Sequence, residues 1–363
     1  MSLTLMKHRA LIAAALAPLL LASCATPSPH APEARPDDTA GADLLSAPDG
    51  ATAPKASVPA QASPPATAMA PAAPGSGSTG SRIVGGYDAP YGKRPWQAEI
   101  RTLGQGKYTA AELQRAPLWN WTHLCGGVLI APNWILTAAH CVTPELQKRN
   151  LLVQLGAQDL RQPGWFFTMD RVVANPWWSG EGRPEDIAIA HLKPSAAMPV
   201  PAGAPSYRPI PIAGFAANFG PSVKGQDVLV TGWGRTTEDN PNAARAASAE
   251  LHPVTPPVLQ EVKLTTVDRL TCANGLHAAG QSVQYADLVG TLCAAGAPGH
   301  DSCNGDSGGP MVRERGRKEY VLVGLVSWGA PQCGTAPGVY TMVESYTKWI
   351  SLVMGPDVAG IPK

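Results

Sequence analysis

The sequence predicts an all-β fold, a barrel or a sandwich, closed by one C-terminal helix. Three observations carry this. First, the apolar segments are short and strand-like: Val128–Ile130, Leu151–Leu155, Asp186–Leu192, Asp227–Thr231, Val258–Leu264 and Tyr320–Ser327. Second, Gly and Pro each occur 37 times and, with Asn, separate those segments. That is the punctuation of short strands and turns, and it argues against a helical bundle or coiled coil. Third, Val343, Tyr346, Ile350 and Val353 fall at helical intervals near the C-terminus. No internal repeat stands out. The stretches Arg101–Thr122, Pro201–Gly225 and Thr236–Pro257 read as long surface loops.

The 363 residues suffice for one large domain or two ordinary ones. Lys and Arg number 28 against 27 Asp and Glu, a formal net charge of +1. This balance gives no case for a nucleic-acid-binding or polybasic membrane surface. Nothing in the pattern specifies an oligomer.

The N-terminus reads as an export signal, residues 1–23. Lys7 and Arg9 precede an apolar run, Ala10–Leu21, short for a membrane span but suited to a signal-peptide core. The run ends in Leu21-Ala22-Ser23-Cys24, which resembles a bacterial lipobox in which Cys24 is lipidated and becomes the first mature residue. An ordinary secretory signal with an incidental Cys is the alternative. The lipobox accounts for the odd cysteine count: of seven Cys, setting Cys24 aside leaves six to pair in an oxidising compartment. The expected location is therefore the bacterial envelope, with the membrane reached through a lipid on Cys24. From Ala25 to Ser81 the chain is dominated by Ala, Pro, Ser, Thr and Gly, with no apolar period. Such a segment buries too little surface to offset its ordering entropy. Residues 24–82 are thus expected to form a disordered tether and propeptide, with a reach of roughly 40 to 180 Å between coil and extended limits. The globular domain is expected over residues 83–363.

Three segments carry chemistry: Leu136-Thr137-Ala138-Ala139-His140-Cys141, Asp186-Ile187-Ala188-Ile189, and Asp301-Ser302-Cys303-Asn304-Gly305-Asp306-Ser307-Gly308-Gly309-Pro310. A serine hydroxyl is a poor nucleophile at neutral pH. It needs a base within hydrogen-bond reach, and the base needs an acceptor that fixes its tautomer. His140 and Asp186 can fill those roles for Ser307. Glycines beside the serine let backbone N–H groups approach a developing oxyanion. Each element alone has a structural explanation: a packed His, a capping Asp, a tight glycine turn. Their combination does not arise readily by chance.

In this order and with these neighbours, the segments resemble the trypsin-like serine proteases of the chymotrypsin fold, whose triad is a standard worked template of catalysis. The resemblance covers Ile83 to Val353 and includes Ile83-Val84-Gly85-Gly86, Cys125-Gly126-Gly127, Thr231-Gly232-Trp233-Gly234, Ser327-Trp328-Gly329 and Pro337-Gly338-Val339-Tyr340. It implies two packed six-stranded antiparallel barrels, with His140 and Asp186 from the first, Ser307 from the second, and a short C-terminal helix. It further implies an oxyanion hole from the Gly305 and Ser307 N–H groups. Asp301, six residues before the nucleophile, falls at the base of the primary specificity pocket, which implies cleavage of polypeptides after Arg or Lys. Gly329 and Gly338 match the pocket walls, and Ser327, Trp328 and Gly329 the strand that binds substrate backbone. Cleavage after Arg82 would free the Ile83 amine to pair with Asp306. Arg82 is itself what an Asp301 pocket accepts, so self-activation in trans is expected. Family positions imply the disulfides Cys125–Cys141, Cys272–Cys293 and Cys303–Cys333.

Departures from the pattern matter too. Ala157 and Gln158 stand where calcium-loop acids are expected, so no calcium dependence is anticipated, and the resemblance implies no cofactor. His123, His191, His252, His277 and His300 lack metal-ligand spacing and read as structural or surface groups. The Arg101–Thr122 loop either restricts substrates or decorates the cleft rim. Gly305-Asp306-Ser307-Gly308-Gly309 also fits the nucleophile elbow of α/β-hydrolases, but that fold needs a His after the Ser, and His300 is the last. Ser345-Tyr346-Thr347-Lys348 matches Ser-x-x-Lys without partner motifs. The rival from another class is a catalytically silent homologue serving as a surface-binding module. Such a protein is expected to lose a triad member, the flanking glycines or the activation site, and none is lost here.

Overall fold

The computed structural model describes residues 83–102, 119, 122–162, 164–194, 206–213, 224–235, 255–316 and 319–355. The stretches expected to be a signal peptide (1–23) and a tether (24–82), with Cys24 and Arg82, lie outside the described residues, as does most of each of the three long loops.

Six strands close the first barrel: β2 (Gln97–Thr102), β3 (His123–Ala131), β4 (Trp134–Thr137), β5 (Leu151–Leu155), β6 (Trp165–Ala174) and β7 (Ala188–Pro194). Their order is β2-β3-β4-β7-β6-β5, and antiparallel pairing of β5 with β2 completes the ring. The second barrel uses β8 (Asp227–Gly232), β9 (Gln260–Val267), β10 (Thr291–Ala295), β11 (Pro310–Arg315), β12 (Glu319–Trp328) and β13 (Gly338–Met342). They run β8-β9-β10-β13-β12-β11, closed by β11 on β8, and the two-residue β1 (Tyr87–Asp88) adds to β9.

The near-continuous apolar runs have a physical reason. Successive side chains of a strand point to opposite faces, and here both faces are buried. In β3, Leu129 points into the first barrel while Val128 and Ile130 join the layer between the barrels. In β12, Val321 and Val323 fill the second barrel while Leu322 faces that same layer. Just before and within β7, Ile187 and Ile189 alternate in the same way with Ala188 and Ala190.

The C-terminal residues form one 3₁₀ turn, Val343–Tyr346, and then a helix. Three α-helices are described: α1 (Pro144–Gln147), α2 (Arg269–Ala278) and α3 (Thr347–Met354). Val343, Tyr346 and Ile350 pack into the inter-barrel layer; the closing helix that their spacing predicts is present, but its first turn is 3₁₀ and the α-helix starts only at Thr347. Helix α2 was not anticipated, because its apolar residues are few and weakly periodic. It is started by Asp268, whose side chain accepts from Thr271 N–H at 2.8 Å, and is tied down by Cys272.

Two expected surface loops need correction. In the described part of Pro201–Gly225, Ile210, Ile212 and Ala213 are buried. This segment straps the barrels together, with Ile210 N–H donating to Leu129 O at 3.0 Å and Ala213 N–H to Leu322 O at 2.9 Å. Trp119, from within Arg101–Thr122, is buried in a cluster with Trp233 and Leu259. Among the described residues no helix is long and apolar enough to cross a membrane.

Candidate active site

His140 lies in a 3₁₀ turn, Ala139–Val142, directly after β4, and Asp186 lies two residues before β7. Because β4 and β7 are adjacent in the barrel, the two side chains meet. Asp186 is buried, and its Oδ2 is 2.7 Å from His140 Nδ1 while its Oδ1 accepts His140 backbone N–H at 3.0 Å. A carboxylate only accepts, so Nδ1 carries a proton, and in the neutral ring Nε2 then holds the lone pair that a general base needs. The second barrel adds support that sequence reasoning missed. Ser327 Oγ donates to Asp186 Oδ2 at 2.6 Å, and Thr341 Oγ1 donates to the Asp186 carbonyl at 2.8 Å. The family resemblance assigns Ser327 to substrate backbone alone, and no sequence pattern signals its second contact. Burial opposes a charge on His140, but the Asp186 hydrogen bond and charge, with a contribution from Glu181, hold its pKa above the ordinary imidazole value.

Ser307 occupies the tight turn before β11. The turn docks on the first barrel: Gly126 N–H donates to Ser307 O at 2.8 Å, and Cys141 Sγ, next to His140, is 3.5 Å from the same oxygen. On either side of Ser307, Asp306 N–H and Gly308 N–H are committed inward, to Cys303 O at 3.0 Å and Val326 O at 2.7 Å. Gly308 has φ +75°, and a Cβ there would sit 2.1 Å from Thr137 Oγ1 and 2.7 Å from Gly126 O. Only glycine allows the serine turn to press against the His140 segment. Gly308→Ala is expected to destabilise the protein by about 2–5 kcal/mol, from left-handed strain plus overpacking. Urea unfolding of the Gly308→Ala protein, followed by tryptophan fluorescence, measures this.

Asp306 is fully buried. Its carboxylate accepts Gly234 N–H at 2.7 Å and Cys303 N–H at 2.9 Å. Burial pushes its pKa up to about 6, with those two N–H groups and the charge of His123 pulling the other way. The Thr231-Gly232-Trp233-Gly234 segment makes room for this group, since a Cβ on Gly232 or Gly234 would fall 2.2 or 2.3 Å from a carboxylate oxygen. Ile83 is buried in the second barrel's core, and Val84 O accepts Asp301 N–H at 3.1 Å, joining the start of the domain to the serine segment.

Asp301 is buried beside Gly338, at the start of β13, where a Cβ would fall 2.8 Å from its Oδ1. Its carboxylate accepts Ser302 N–H at 2.8 Å, Gly334 N–H at 3.2 Å and the Tyr340 hydroxyl at 3.3 Å. Burial outweighs these donors and, with Asp306 nearby, pushes its pKa up to about 7. A Cβ on Gly329 would be 3.8 Å from Gly338 Cα, so two side-chain-free walls face each other near this acid. Trp328 ends β12 and packs on the cluster around Cys272, Leu288 and Val339. The three disulfides are Cys125–Cys141, Cys272–Cys293 and Cys303–Cys333. Cys125, His140 and Cys141 cluster closely, but the paired sulfurs offer no thiolate to a metal.

A family model described as Trypsin matches residues 83–350. The chain belongs to the trypsin family. It is 34% identical over 284 residues to a tryptase from Mus musculus, a match that spans 77% of this chain and 91% of that protein. Among solved structures it is similar to neuropsin, a serine protease expressed in the limbic system of mouse brain. That likeness has a TM-score of 0.53 and 25% identity, and covers 74% of this chain and 99% of that one. This trypsin-family protein is a serine endopeptidase.

Proposed function

We propose that this endopeptidase hydrolyses polypeptides after Arg and Lys through an acyl-enzyme on Ser307. The observation that carries this reading is the 2.7 Å His140–Asp186 contact beside the docked Ser307 turn. Ser307 Oγ attacks the scissile carbonyl as His140 Nε2 takes its proton. The carbonyl electron pair moves onto oxygen, where the Gly305 and Ser307 N–H groups receive it. His140 returns the proton to the departing amine, and water then repeats the sequence to release the acid and free Ser307. The guanidinium or ammonium of the residue before the scissile bond pairs with Asp301 between Gly329 and Gly338. Ser327, Trp328 and Gly329 hold the substrate backbone as an added strand.

Activation follows from cleavage after Arg82. The new Ile83 amine, a cation, pairs with buried Asp306 and offsets its desolvation. The Val84–Asp301 hydrogen bond supports coupling of that event to the pocket floor. Export and lipidation at Cys24 would hold the uncut form on the bacterial envelope. Residues 25–82 contain no Cys, and the three disulfides lie wholly within residues 125–333, so cleavage would sever the active domain from its lipid. N-terminal sequencing and mass spectrometry of native protein are expected to find a lipidated Cys24 form and a lipid-free form starting at Ile83. A Ser307→Ala protein freed of other proteases is expected to stay uncut after Arg82. Spontaneous cutting there would exclude self-activation, and an Ile83 form retained in salt-washed membranes would exclude release.

A further inference from the structure

A second buried charged cluster sits in the first barrel, apart from the His140–Asp186 pair. Glu99, on β2, is fully buried, and its Oε2 accepts Arg101 Nε–H at 2.7 Å. Arg101 Nη2 also donates to Glu99 Oε2 and to Gln154 Oε1. The other Glu99 oxygen, Oε1, lies 3.3 Å from His123 Nδ1. His123 stands opposite Arg101 in the β2–β3 pairing, and its Nε2 lies 3.0 Å from the carbonyl oxygen of Gly305. The ring is edge-on to Trp233, with centroids 6.5 Å apart. Gly305 has φ +100°, and a Cβ there would meet Gly234 Cα at 3.1 Å and His123 Nε2 at 3.3 Å. The imidazole therefore abuts the peptide that begins the nucleophile turn.

We propose that His123, oriented by Glu99, is a positioning residue that fixes the Gly305 peptide and so aligns the oxyanion-binding turn. This rests on the acyl-transfer reading above and adds a residue to it. A carbonyl oxygen only accepts, so Nε2 must donate to Gly305. Glu99 is held ionised: burial opposes its charge, but Arg101 and His123 outweigh it and keep its carboxyl below the ordinary range. The Glu99 oxygen facing Nδ1 is thus an acceptor as well. A ring with acceptors on both sides donates from both nitrogens. Arg101, Glu99 and His123 then form a buried chain of alternating charge ending on the turn, with Asp306 the next charged group beyond His123. Preorganised donors govern acyl-transfer rates, so a misaligned Gly305 peptide should lower turnover without weakening the distant Asp301 contact.

The test uses the processed enzyme and its His123→Ala, His123→Gln and Glu99→Gln variants. For His123→Ala and Glu99→Gln, kcat on an Arg-ended peptide anilide and the rate of Ser307 phosphonylation are expected to fall roughly 10- to 100-fold, less than the ~10²–10³ cost of deleting an oxyanion donor itself. KM and benzamidine affinity should stay within about twofold, since binding shared by ground and transition states is untouched. The carboxamide N–H of His123→Gln can still donate to Gly305 O, so that variant should recover part of the rate. An unchanged kcat, or a parallel loss of kcat and benzamidine affinity, would overturn the proposal. Should the variants not fold, ¹⁵N NMR of the Ser307→Ala protein decides it: a proton on His123 Nε2 supports the contact with Gly305 O, and a lone pair on Nε2 refutes it. Wild-type protein that is phosphonylated but ignores Arg substrates and benzamidine would refute only the Arg/Lys specificity, while the phosphonylation rates still report on His123.

Discussion

Replacing Ser307 with Ala in the processed protein is expected to lower kcat on an Arg-ended anilide by about 10⁶-fold, the scale seen when a triad acts as one unit. Benzamidine affinity should be unchanged, because Asp301 and its donors are separate from the hydroxyl. The loss is this large because no other group in the turn can form the acyl bond. Asp306 is fully buried and bound to two backbone N–H groups, and Cys303 is in a disulfide. Initial rates over a range of substrate, with benzamidine displacement as the binding control, measure both quantities. Residual turnover within about a hundredfold of wild type would require another nucleophile, since triad residues normally account for far more.

Asp301→Asn is expected to lower kcat/KM for Arg substrates by about 10⁴-fold, the discrimination typical of a site built around one buried polar contact. Its pH signature is equally specific. Burial holds Asp301 at about 7, so below that pH the acid is largely neutral and has no charge for a guanidinium. Benzamidine affinity should therefore rise about tenfold per unit as pH climbs toward that value, level off above it, and release a proton on binding. Asp301→Asn should abolish this dependence. His140 is also raised, so the acid limb of kcat/KM in wild type combines both groups. The asparagine variant isolates the histidine. Isothermal titration calorimetry in two buffers of different ionisation heat reads the proton count.

Much of the site was legible because its chemistry is confined to short segments with fixed neighbours. The chain order His140, Asp186, Ser307, with no His after the serine, sufficed to exclude the α/β-hydrolase arrangement that the glycines around Ser307 alone would allow. The two-barrel fold followed from that resemblance. The apolar runs by themselves left barrel and sandwich open, because a strand buried on both faces loses its period of two. Strands β2, β4, β6, β10, β11 and β13 were not anticipated, and for β2, β4 and β13 the reason is related. Buried polar residues interrupt them: Gln97, Glu99, Thr137 and Thr341 lie within the sheets and look like surface positions in sequence. The same effect hid Thr341 as a support for Asp186 and let His123 pass as a structural group. These contacts join residues more than 100 positions apart, Thr341 to Asp186 and His123 to Gly305, and no local pattern encodes them. The strap at Ile210–Ala213 was misread as surface because prolines 209 and 211 flank its isoleucines.

The central claim is that His140 and Asp186 activate the hydroxyl of Ser307. The most direct measurement is to treat the Ile83-processed protein with a fluorophosphonate and map the adduct by peptide mass spectrometry. One adduct, on Ser307, lost in His140→Ala and on acidification as His140 takes up its proton, is the expected result. No adduct, or an adduct on a different serine, would contradict the account.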